Sequence, residues 1–118
     1  MAKGDNLGEF EQLVMATTLI LGENAYGMTI HEEVERMVDS KRDVSLGAVY
    51  ITLDRLEQKD FVKSWYSGAT PGRSGRVKRF FELTETGKTA LRTSMTIMAK
   101  LVDELRKRGV LHDSTTAE

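Results

Sequence analysis

The sequence predicts a mainly α fold with one small β-hairpin and a long C-terminal helix. Three observations predict it. Three successive segments carry apolar residues at helical spacing, a glycine-tipped basic segment is flanked by strand formers, and a final segment repeats apolar residues in heptads. The length of 118 residues suits one domain with an appended helix, and 40% hydrophobic residues suffice for a single modest core.

The first helix is expected from Leu7 to Leu21. Leu7, Phe10, Val14, Thr17 and Leu21 recur at steps of three and four, with Leu13 and Ile20 beside them, and Gly22 supplies a stop. After the turn Glu23 to Gly27, Thr29 is expected to cap a second helix, with Glu32 completing a capping box. Ile30, Val34, Met37 and Val38 form its expected buried face. Ser45 then caps a third helix to about Lys59, with Leu46, Val49, Leu53 and Leu56 inward and Ala48, Ile51, Thr52 and Arg55 outward.

Beyond Asp60 the period changes. Phe61 to Ser67 is rich in strand formers, Gly68 to Gly75 holds three glycines and the only proline, and Arg76 to Leu83 returns as a second strand. Thr84 caps a last helix to about Arg108. On it Leu91, Met95, Met98, Val102 and Leu105 form an a/d seam flanked by Ile97 and Leu101. This order is that of a winged helix-turn-helix domain over 1–83, a dimerisation helix over 84–109 and a tail over 110–118 expected to be disordered.

The net charge of −1 hides an asymmetry. Residues 1–40 carry two Lys/Arg against eight Asp/Glu, whereas 61–81 carry Lys63, Arg73, Arg76, Lys78 and Arg79 with no acid. One positive face on a neutral molecule is enough to bind phosphate. The absence of cysteine excludes disulfides, zinc-thiolate sites and thiol catalysis. His31 and His112 are far apart and differently placed, Gly68, Gly72 and Gly75 do not make a phosphate loop, and no nucleophile–base pairing emerges, so neither enzyme nor cofactor is expected. With no apolar run of membrane-spanning length and no export signal, a cytoplasmic location is expected.

In a winged helix the third helix enters the major groove. Gly47 and Ala48 permit close approach, Thr52 offers a hydrogen bond, and Arg55 can reach a phosphate or a guanine. Ser45 and the free amides at the helix start offer a phosphate contact. Arg73 and Arg76 at the hairpin tip are expected on phosphate or minor groove, with one of Lys78 and Arg79 helping, since alternate strand residues face opposite sides. Tyr50 reads equally as a core-edge aromatic and as a DNA contact, Arg55 also reads as a solvated cation beside Asp54 and Glu57, and Trp65 reads as packing.

These residues resemble the PadR family of transcriptional regulators. The resemblance rests on Leu7 to Val14, Ala25-Tyr26-Gly27, Val44 to Tyr50, Thr52 to Glu57, Gly75 to Phe81 and Leu83-Thr84, in family order across about 7–105. It implies a winged helix, a single C-terminal dimerisation helix and operator binding that usually represses nearby genes. It carries DNA-contact positions over onto Tyr26, Ser45, Gly47, Ala48, Tyr50, Thr52 and Arg55, plus the wing. Drug-sensing relatives place a tryptophan on the dimerisation helix, whereas here Met95 and Met98 occupy the seam and Trp65 lies on the wing, so multidrug sensing is not implied. The expected partners are double-stranded DNA and a second copy of the chain. A small-molecule effector in a Met- and aromatic-lined cavity is open, and the alternative function is a protein-binding adaptor without specific DNA binding.

Overall fold

Glu9–Leu21 forms α1 in the computed structural model, which describes residues 7–38, 43–67 and 77–112. The Glu11 carboxylate accepts from the Gly8 amide and closes the first turn. Gly22 ends the helix with φ of 60°, a conformation that L side chains rarely adopt. The inward stripe includes Val14 and Thr17 as expected, together with Met15 and Thr18. Ile20, placed beside that stripe in the sequence, is instead exposed, as is Leu19.

A 3-10 turn over Gly22–Asn24 leads to α2, Gly27–Met37. The capping differs from the sequence reading. Tyr26 is the N-cap, and Thr29 lies in the first turn, where its Oγ1 accepts from the Tyr26 amide at 3.0 Å and donates to the Asn24 carbonyl at 2.6 Å. The hydroxyl secures the helix start from inside it. Ile30 and Val34 are buried and Val38 packs against the core, but Met37 is exposed. His31 Nε2 lies 2.7 Å from the Val44 carbonyl oxygen, tying α2 to the approach to α3.

α3 is Leu46–Gln58 and crosses α1 and α2 through Val49, Leu53 and Leu56. A half-buried ion pair, Lys59 Nζ to Glu11 Oε2 at 3.0 Å, joins its end to α1. Asp60 turns the chain with φ of 66°. β1, Val62–Ser67, then pairs antiparallel with β2, Lys78–Leu83, in a register that sets Val62 opposite Leu83 and Ser67 opposite Lys78. A single bridge from Tyr26 to Phe80 adds the start of α2 to this hairpin. Phe61, Val62, Phe81 and Leu83 close the core.

α4, Glu85–Lys107, starts one residue after β2, with Thr84 Oγ1 accepting from the Gly87 amide at 2.9 Å. Its first turns pack on α1 and β2. Past Leu91 it leaves the core, and among the described residues no helix is long and apolar enough to cross a membrane.

Candidate nucleic-acid interface

The N-terminal end of α3 presents small, polar groups outward. Ser45 is exposed and extended, and its Oγ accepts from the Ala48 amide at 3.0 Å, which leaves its O–H free to donate. A β-carbon at Gly47 would meet nothing closer than that Oγ, at 3.9 Å, so a backbone or base edge can approach. Ala48 is half-buried, and Arg55 is exposed two turns on.

Thr52 is corrected by the structure: it is 5% exposed and belongs to the core side of α3 rather than its outward face. Three residues after Val49 and four before Leu56, it sits on their stripe. Ile51 takes the outward place at 60% exposure, a methyl-bearing group able to meet a thymine methyl. The sequence reading put Ile51 on this face without assigning it a contact. Its signal was an apolar residue exactly opposite the inward stripe.

On the side that lines a cleft with α1, the wing carries an aromatic ladder. Trp65 stacks on Phe80 with centroids 6.2 Å apart, Tyr26 meets Phe80 edge-on at 5.4 Å, and Lys78 Nζ lies 4.5 Å above the Tyr26 ring. Trp65 thus has a packing partner in Phe80, while 42% of its surface stays exposed. Tyr50 is half-buried, its ring tilted against Phe81 at 6.5 Å and its hydroxyl closing over Gly27. Tyr26, Met28, Tyr50, Tyr66, Val77, Lys78 and Arg79 line a cleft of about 400 Å³ between the wing and the helices.

The two adjacent wing cations are used differently. Lys78 is exposed beyond its ring contact, whereas Arg79 turns against α3. Its Nη1 donates to Asp54 Oδ1 at 3.1 Å, its Nη2 to Glu57 Oε1 at 2.6 Å and its Nε to Ser64 Oγ at 3.1 Å. Desolvation works against the charged guanidinium, but hydrogen bonding and Coulombic attraction from Asp54 and Glu57 outweigh it and hold its pKa above arginine's ordinary value. Arg79, expected as a possible DNA contact, is thus engaged within the chain. Arg73 and Arg76 lie outside the described residues.

On α4, Met95, Met98, Leu101 and Leu105 are exposed along one seam, with Val102 half-buried. Leu91 is corrected: at 6% exposure it is part of the chain's own core, because α1 and β2 cover the first turns of α4. A second cleft, of about 440 Å³, lies between α1, the wing and the start of α4, with Leu19, Trp65, Phe80 and Lys88 in its lining.

Known proteins share this arrangement. Residues 18–93 match the transcriptional regulator PadR-like family. A crystal structure of a PadR family transcription regulator from hypervirulent Clostridium difficile is 25% identical, with a TM-score of 0.68 over 85% of this chain and 97% of that one. A PadR family regulator from Eggerthella lenta is 19% identical, with a TM-score of 0.63 over 87% and 83% of the two chains. An uncharacterized protein from Lysinibacillus sphaericus is 23% identical over 84 residues, 71% of this chain and 72% of that one. The four α-helices and the antiparallel hairpin among the described residues, with the match over 18–93, mean that this chain belongs to the PadR-like family, whose members are transcriptional regulators and not enzymes.

Proposed function

We propose that the protein is a repressor that binds a roughly palindromic operator as a homodimer. α3 enters the major groove, and the wing lies along the phosphates. The observation that carries this reading is the open N-terminal end of α3, where Ser45 and Gly47 are exposed and Ala48 is half-buried. Ser45 and the first amides of α3 meet a phosphate, Ala48, Ile51 and Arg55 face base edges, and Lys78 with Arg73 and Arg76 neutralises backbone charge. Tyr26 and Tyr50 shape the wall of the groove between helix and wing and reach the backbone with their hydroxyls.

The second copy docks on the α4 seam. Met95, Met98, Leu101 and Leu105 are exposed in one stripe on a helix whose charged residues lie elsewhere, which supports burial against a partner helix. Two α3 helices then meet successive major grooves, so half-sites lie about 34 Å apart. A small-molecule effector in the 440 Å³ cleft between α1 and the wing releases the operator. A broad effector screen that leaves DNA affinity unchanged would remove this last part of the reading.

The test is a fluorescence-anisotropy titration of the gene's own upstream duplex against a scrambled one, at two salt concentrations. Preference for the upstream duplex by about tenfold or more, saturating at one dimer per site, supports the proposal. Equal, weak binding that vanishes with salt would sink it and favour a protein-binding adaptor. Loss of repression in a reporter strain on deletion of the gene is the expected direction of control.

A further inference from the structure

The helix proposed to approach DNA carries an apparent contradiction in charge. Within α3, Arg55 stands against Asp54 and Glu57, leaving the helix one negative charge in excess. Lys59, just beyond it, is spent on Glu11. Exposed carboxylates on such a helix repel phosphates across a Debye length of about 10 Å at 0.1 M salt. Both carboxylates, however, are held by one side chain from the wing: Arg79 reaches Asp54 Oδ1 at 3.1 Å and Glu57 Oε1 at 2.6 Å. Ser64 Oγ on β1 donates to the second Glu57 oxygen at 3.0 Å and accepts from Arg79 Nε, so the network spans both wing strands. The guanidinium carbon also lies 4.9 Å over the Phe81 ring, a cation–π contact beside the two carboxylates.

We propose that Arg79 is a positioning residue: it neutralises Asp54 and Glu57 and locks the wing to α3, so that the helix can approach DNA without itself offering Arg79 to a phosphate. This rests on the DNA-binding reading. The two carboxylates cost affinity only when Arg79 is absent, which is a statement about coupling between substitutions rather than about any one of them.

The experiment is a four-protein cycle on the full chain: wild type, Arg79→Met, the pair Asp54→Asn with Glu57→Gln, and all three together. Binding to the upstream duplex and to random duplex is measured by anisotropy in low salt. Arg79→Met is expected to weaken both about tenfold. The carboxylate pair is expected to restore most of that loss in the Met background, yet to change wild-type binding by less than about twofold. A carboxylate effect of equal size in both backgrounds would overturn the proposal in favour of a direct Arg79–phosphate contact. Failure of the triple variant to recover would overturn it in favour of a purely structural role. The same four proteins are unfolded in urea without DNA, where neutralising the carboxylates should lower the midpoint only if Arg79 is present. Additive midpoint shifts would remove the lock itself. A wild-type chain that binds neither duplex would sink the DNA-binding reading, while the urea cycle still decides whether the lock exists.

Discussion

A β-carbon on Gly87 would lie 2.0 Å from the Phe61 carbonyl oxygen. That oxygen is backbone and already accepts from the Thr84 amide at 3.0 Å, so no side-chain rotation relieves the clash. Gly87→Ala is expected to lower unfolding stability by about 3 kcal/mol in a urea titration. Gly27 makes the contrast. There the clash would be with the Tyr50 ring, which can move, although only at the expense of its packing on Phe81. Thr17 carries the opposite kind of strain: its hydroxyl is buried and has no hydrogen-bond partner among the described residues. Thr17→Val keeps the shape and removes the unsatisfied group, so the urea midpoint should rise, by about 1 kcal/mol in stability. At this scale the sequence misleads where residue type and position disagree. Thr52 lies on the Val49–Leu56 stripe, and its spacing, not its hydroxyl, decides its burial. Arg79 could not be separated from Lys78 by alternation alone, since its partners Asp54 and Glu57 are distant in sequence.

Elements were more legible than residues. α3 starts after Ser45 and α4 after Thr84, both with the capping hydroxyl bond that the residue types suggest. The strands fall within their expected spans because the period changes sharply after Asp60. α2 starts earlier than its sequence suggests. A Ser/Thr followed by Glu three residues later looks like a capping box, yet here the extended backbone of Tyr26 and its bridge to Phe80 set the boundary earlier. The wing as an element is expected to have a separable role in the proposed complex. Lys78→Ala is expected to weaken upstream and random duplex alike and to reduce the salt slope by about one, read from anisotropy titrations over a salt series. Truncating Ile51 or Arg55 should instead narrow the gap between the two duplexes, because those side chains face base edges in the proposed complex.

The whole molecule is unfinished on one side. No residue in the second half of α4 is fully buried within its own chain, and heptad spacing alone could not say where its own core ends and the proposed partner begins. Leu91 and Met95 are four residues apart on one seam, and only the reach of α1 and β2 separates them. Leu101→Glu is expected to yield a folded monomer in sedimentation equilibrium. Operator affinity should fall by at least about tenfold, since the second half-site no longer binds intramolecularly. A Leu101→Glu protein that stays dimeric would move the interface elsewhere.

Between Leu83 and Glu85 there is one residue, and it has no freedom. Thr84 gives its amide to Phe61, its hydroxyl proton to the Asp60 carbonyl, and receives the Gly87 amide. A strand of the wing and the helix of the proposed dimer are therefore a single stiff lever with a pinned joint. In the proposed dimer, a twist between two α4 helices would arrive at both wings with little slack, and the distance between half-sites would behave as a ruler whose graduation is set at the dimer seam.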